Sequence, residues 1–210
     1  ADIAALTTAQ VSKLSSEAVA ALTTDQVKAL TTAALNALTS AQLAALETAD
    51  LAALSTAQVR GLSSVQISQL STEQLDALTT EQVQAMSTAQ VASLTSAQLN
   101  GMATDDLQAL TTAQVRGLSS AQISKLSTDQ LVALTTEQVQ ALSTSQVASL
   151  TSDQLNNMAS DDLQALTTAQ VRALTSAQIS ALSTAQVETM ETADIAALTT
   201  AQVSKLSSEA

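Results

Sequence analysis

The residues best suited to chemistry in this chain are oxygen donors. Asp105-Asp106 and Asp161-Asp162 are pairs of adjacent carboxylates, and two columns of Ser and Thr hydroxyls recur along its 210 residues. Paired carboxylates suit a hard cation such as calcium, which takes roughly six to eight oxygen ligands. A regular threonine lattice would suit ice or a crystalline polysaccharide. Each feature also has a plainer reading. Neither acidic pair has the Gly-rich turn of a dedicated calcium loop, and carboxylates at helix starts are stabilised without any ion. Ser and Thr interchange freely in both columns, so the hydroxyl is required and the methyl is not. Helix capping needs only the hydroxyl.

Catalysis has little to work with. His and Cys are absent, which removes imidazole acid-base chemistry, thiolate nucleophiles and the usual zinc ligands. The many Ser residues have no base beside them to activate them. The sequence therefore predicts no enzyme and assigns no catalytic, cofactor-binding or metal-ligating residue, and no cofactor. Phe, Trp and Tyr are missing too, so no aromatic platform can stack bases. A net charge of -12 argues against nucleic acid, and no run of 18 apolar residues offers a membrane span.

What positions the hydroxyls and carboxylates is an eight-residue beat. Leu or Met stands at every eighth position from Leu6 to Leu206, 26 times without a skip. With that residue as position one, the unit reads Leu, Ser/Thr, Ser/Thr, Ala/Asp/Glu, Gln, Val/Ile/Leu, variable, small. Leu6-Thr7-Thr8-Ala9-Gln10-Val11-Ser12-Lys13 is the first copy. A single long helix cannot carry this period, because eight residues rotate the pattern by about 80° per repeat and leave no apolar stripe. A β-solenoid would need Gly, Asn or Asp at its corners. The remaining solution is one short helix per octad, broken and restarted each time.

Two regularities support the restart. Thr7-Thr8-Ala9-Gln10 has the Ser/Thr-x-x-Gln form of a capping box. All seven basic residues fall at positions seven or eight, whereas 17 of the 19 acids fall at positions two, four or five, with Asp76 and Glu188 outside. Acids at each start and bases at each end are what repeated helix dipoles favour, at about 0.3–1 kcal/mol per well-placed charge. Position two loses its hydroxyl only at Glu47, Ala103, Ala159 and Glu191, and position five is then Asp50, Asp106, Asp162 and Asp194. Residues that change together three apart should touch. The Asp carboxylate, or the position-three hydroxyl, is expected to take over the cap.

The fold class expected is all-α: a superhelical α-solenoid of octapeptide repeats with one short capped helix each. Positions one and six form a thin aliphatic core, position eight stays small so that helices approach closely, and two to four octads make a coil. Leu110→Asp should disrupt it locally, and Ser→Thr exchanges should be nearly silent. Residues 1–210 read as a single continuous array, a piece of a longer repetitive protein. A slower echo returns every seventh octad, and Ala1 to Ala18 recurs identically as Ala193 to Ala210. Neither end carries a polar capping repeat, so end-to-end self-association is expected.

The run Leu166-Thr167-Thr168-Ala169-Gln170-Val171-Arg172-Ala173-Leu174 resembles octapeptide arrays of very large bacterial secreted and surface proteins, often labelled adhesins or haem-utilisation proteins. The resemblance covers essentially the whole chain but carries over no functional residue. It implies an extracellular or cell-surface location and a spacer, stalk or filament-forming segment, with a surface or matrix partner. A binding module that uses the repetitive face for polysaccharide, ice or protein is the alternative. A haem role finds no His, Cys or Tyr here to carry it.

Overall fold

The computed structural model describes residues 3–206. Asp2, the last hydroxyl pair Ser207-Ser208 and Glu209 lie outside the described residues. After a 3-10 turn at Ile3–Ala5, these residues form twenty-five short α-helices, from α1 (Thr8–Val11) to α25 (Thr200–Leu206), one per octad. The predicted restart is present in each.

The break between helices uses ordinary backbone. After α7 (Thr56–Gly61), Leu62 is extended at φ -65°, ψ 143°, and Ser63 follows at φ -71°, ψ 155° as the N-cap of α8 (Ser64–Gln69). Leu62 still donates its N–H to the Val59 carbonyl at 3.1 Å. Two extended residues per octad turn the chain, and both occupy a region open to any L-residue. No described residue has positive φ. The array therefore needs no Pro, and none of its Gly residues serves a left-handed turn.

Helices of six or so residues are unstable alone, and packing between coils holds them. α7 lies against α4 (Thr32–Asn36) and α10 (Thr80–Ala85), three helices to either side. Packing divides the chain into two compact units, Ala1–Leu110 and Thr111–Ala210. The three-helix interval holds in the second unit as well, where α18 (Thr144–Ser149) lies against α15 (Ser120–Ile123) and α21 (Thr168–Ala173). Each unit is a superhelical α-solenoid. From Val11 to Ile179 position six is enclosed, as at Val59 (0 % exposed), and from Leu30 to Leu174 position one nearly so, as at Leu110 (3 %). Met86, Met102 and Met158 fill Leu places in the same core.

Side chains fix the coil more closely than the sequence could. Gln58 reaches back 28 residues to the Leu30 carbonyl and Gln66 reaches 31 residues to that of Leu35. A coil thus closes between three and four octads. The seven-octad echo is two coils of about 28 residues. The small residue at position eight also has its expected use. A Cβ added at Gly61 would run into the Thr32 methyl, and one at Gly101 would sit 3.2 Å from both Cβ and Cγ2 of Thr72. Position eight thus abuts position three of the preceding coil.

Candidate functional site

The hydroxyl column at position two is a column of caps. From Thr7 to Ser183, each Ser or Thr there accepts a hydrogen bond from the backbone N–H three residues on. At α10, the Thr79 Oγ1 accepts from Gln82 N–H at 3.3 Å, and Thr79 N–H donates to Gln82 Oε1 at 2.7 Å. This is the reciprocal box that Ser/Thr-x-x-Gln predicts. The cations stand where the dipole favours them: Arg60, Arg116 and Arg172 occupy last turns. At the opposite ends, the exposed Glu17, Glu73 and Glu81 carboxyls are held below the usual range, first by their own backbone N–H and then by the N-cap hydroxyls of Ser15, Ser71 and Thr79.

Position five has a second role that the capping motif alone did not reveal. From Gln42 to Gln98, and again from Gln146 on, the amide nitrogen of a position-five Gln stitches its coil to the one before. Gln82 Nε2 donates to Leu51 O at 2.9 Å and to Leu54 O at 2.6 Å. In the second unit, Gln170 Nε2 donates to Val139 O at 3.1 Å and to Leu142 O at 2.7 Å. These acceptors belong to positions six and one, at a helix end where carbonyls run short of intrahelical donors; the position-six carbonyl also takes the N–H of position one, as Leu51 O takes that of Leu54 at 3.2 Å. Gln82 is 2 % exposed, so water cannot take over. One side chain therefore closes a helix start and satisfies a helix end in the preceding coil. The sequence held a signal for this. Position four is often Glu, whereas position five is never Glu, although a capping box accepts either and the dipole prefers the charge. Only the amide supplies the donor.

Where Asp replaces Gln the stitch changes sign. A carboxylate cannot donate to those carbonyls, and it recruits donors instead. Asp50 Oδ1 accepts from Thr24 Oγ1 at 2.9 Å, and Asp162 Oδ1 from Thr136 Oγ1 at 3.2 Å, each hydroxyl lying 26 residues earlier. Asp50 Oδ2 also takes the Glu47 N–H at 3.2 Å, the half of the box that Gln makes in other octads. At Ala103 the expectation needs correction. Its N–H goes to Asp76 Oδ1 of the preceding coil at 3.2 Å, not to Asp106 or to a position-three hydroxyl. Asp76, one of the two acids outside the charge pattern, is there because it completes a cap across coils.

Asp106 is left 6 % exposed between coils. Burial, then the charges of Asp76 and Asp105, push its carboxyl up to about 6. Burial raises Asp162 as well, against the opposing hydroxyl of Thr136. In each acidic pair the first member, Asp105 or Asp161, is exposed while the second is buried, so the pair does not face one point. Among the described residues no group of three or more His, Cys, Asp or Glu could hold a metal ion.

The raised value has a consequence for stability. A carboxyl that ionises more reluctantly in the fold favours the folded state below its unfolded value, and that contribution is lost as pH rises through about 6. Amide exchange in α13 (Thr104–Ala109) should therefore slow as pH is lowered from 7 to 5, after correction for intrinsic rates. Asp106→Asn should give the slow exchange already at pH 7 and remove most of the dependence. An unchanged dependence in the variant would assign it to another group.

No described helix is long and apolar enough to cross a membrane. No curated protein matches the chain. The ALTTAQ repeat matches residues 1–32, 43–80, 73–104, 99–136, 128–160 and 155–190. Its six letters stand complete at Ala5-Leu6-Thr7-Thr8-Ala9-Gln10 and Ala165-Leu166-Thr167-Thr168-Ala169-Gln170. Each letter now has a physical role. In order they are the small residue that abuts the previous coil, the core Leu, the N-cap, the first helical residue, a first-turn residue and the stitching Gln. Matched over most of its length, the chain belongs to the ALTTAQ repeat family.

Proposed function

We infer that this array is a structural spacer: a stalk or filament-forming segment that carries other modules, with no catalytic activity of its own. The coarse statement stands on the fold and the family, which make the chain a repetitive structural or binding module. One observation carries the finer reading. The residues that recur at positions one, two, five and six are spent on helix caps, coil-to-coil stitches and core, as in the octad of Leu78, Thr79, Gln82 and Val83, and the Ser or Thr found at position three of every octad abuts position eight of the next coil, as Thr32 does Gly61. Position seven varies freely. The likeness to octapeptide arrays of bacterial secreted and surface proteins supports an extracellular or cell-surface setting, and the absence of Cys suits export without disulfides.

A spacer has a measurable signature. Chains with additional octads are expected to lengthen in proportion by small-angle scattering, and their Tm should climb to a plateau as neighbours are added. A maximum dimension that stays constant as octads are added would refute the reading. Isolated segments are also expected to self-associate end to end at high concentration, seen as concentration-dependent sedimentation.

A further inference from the structure

A solenoid of near-identical octads faces a degeneracy: positions one and six are aliphatic in every repeat and position five is Gln in most, so they say little about which octad should lie over which. We propose that Ser or Thr at position three, read against the size of the position-eight residue one coil later, is a steric code that selects the circumference of the coil.

The geometry comes from four places. The Thr32 and Thr72 methyl-bearing side chains crowd the sites of Gly61 and Gly101. Ser93 Oγ donates to Ser64 O at 2.9 Å, and in the second unit Ser149 Oγ donates to Ser120 O at 3.1 Å. All four pairs share one spacing, 29 residues, and join position three to position eight. The Thr methyl occupies space that a larger position-eight side chain would need, and Ser leaves that space open.

The sequence follows this rule among the described residues within each unit. At this spacing twelve position-eight residues face Thr of the same unit, and eleven of them are Gly or Ala. Seven face Ser, and five of these are larger: Gln69 over Ser40, Ser93 over Ser64, Ser149 over Ser120, Thr189 over Ser160 and Lys205 over Ser176. Ser93, Ser149 and Lys205 stand at successive seven-octad intervals, with Lys at the last, whereas Gln69 and Thr189 belong neither to that series nor to one another's. The rule runs one way, as a steric rule should: Ala45 and Ala181 sit over Ser without penalty. The single larger residue over Thr is Asn157, which faces Thr128. Its Nδ2 folds back onto its own helix, donating to Asp153 O at 2.8 Å.

Only one circumference satisfies the code. Tightening the coil by one octad would place every one of these larger residues over Thr: Gln69 over Thr48, Ser93 over Thr72, Ser149 over Thr128, Asn157 over Thr136, Thr189 over Thr168 and Lys205 over Thr184. Widening it by one octad would set Gln69 over Thr32, Ser93 over Thr56, Ser149 over Thr112 and Lys205 over Thr168. Core Leu and Val would match equally well in every case, so the choice rests on position three. Ser and Thr are thus interchangeable as caps at position two but not as spacers at position three.

A four-member cycle tests the complementarity. Ser40→Thr, beneath Gln69, is expected to lower Tm by about 4–8 °C, as overpacking does. Adding Gln69→Ala should recover most of that loss. Gln69→Ala alone should leave Tm nearly unchanged, as should Ser16→Thr, beneath Ala45. The code fails if Ser40→Thr is no worse than Ser16→Thr, or if Gln69→Ala gives no recovery.

The circumference is read separately by crosslinking, because the chain contains no Cys of its own. Thr72→Cys with Gly101→Cys should oxidise readily, since the Cβ positions lie 3.2 Å apart, near the disulfide range of about 3.5–4.5 Å. Thr72→Cys paired with Ser93→Cys or Ala109→Cys reports the tighter and wider coils and should not. With Ser40→Thr and Ser64→Thr added, the first of these crosslinks should form at least about twofold more slowly. Equal crosslinking in all three spacings, or a rate insensitive to the Thr substitutions, overturns the proposal.

Discussion

Gln82→Glu is expected to destabilise the first unit by about 3 kcal/mol at pH 7, although the side chain keeps its size and its cap. The new carboxylate can still accept from Thr79 N–H, as Gln82 Oε1 does at 2.7 Å. Its other oxygen would face Leu51 O and Leu54 O, now 2.9 and 2.6 Å from the amide nitrogen. Leu54 O loses the amide donor, Leu51 O is left with its backbone donor from Leu54 N–H alone, and a buried charge meets like partial charge, at a site 2 % exposed. The loss should shrink on acidification. A buried Glu has a raised folded value, so its contribution improves as pH falls through that value, and the protonated acid can donate to one carbonyl. Gln10→Glu is the matched control. Gln10 is exposed and closes its own capping box, so the extra charge at a helix start should be neutral or slightly stabilising. Urea unfolding at pH 7 and pH 4.5 separates the two substitutions. Equal small effects at both sites would mean that position five is a cap and nothing more.

That contrast marks how far the sequence could be read. The eight-residue period excluded both a continuous helix and a strand stack, and the outcome at Leu62 and Ser63, two extended residues between helices, is what remained. The cap at Thr79 and the inward side of Leu110 were equally legible, because capping and burial are decided within one octad or by a single apolar column. The coil was not legible. Its circumference is the sum of small rotations over several octads, and no residue within an octad encodes that sum. It surfaces in pairs 28 to 31 residues apart, such as Gln58 with Leu30 and Gln66 with Leu35. The second role of Gln82 was hidden for the same reason, since its first role already explained the motif. Its trace was an absence, Glu never standing at position five. Asp106 shows the opposite failure. It was read as a helix-start carboxylate like Asp105, yet one lies exposed and the other sits beneath a neighbouring coil beside Asp76.

Leu110→Asp should cost about 5 kcal/mol, and the damage should stay local. Leu110 is 3 % exposed, so the substitution removes a core side chain and puts a carboxylate in an aliphatic place. In a repeat architecture each coil leans only on its neighbours, so stability is a sum of nearest-neighbour terms and not a single cooperative quantity. Amide protection is expected to collapse in α13 and in α10, against which it packs. It should persist in α1 and α4, which pack on each other at the far side of the same unit. Val65→Glu provides the comparison. Val65 is 67 % exposed and stands at position four, the column where acids recur, so a carboxylate there should change stability by less than about 0.5 kcal/mol. Two carboxylates introduced in neighbouring regions of one array should thus differ by an order of magnitude, because one enters the aliphatic seam and the other joins the charges at a helix start. Loss of protection throughout the unit for Leu110→Asp would show that the coils unfold as one body. The additive picture, with the expectation that Tm rises as octads are added, would then have to be abandoned.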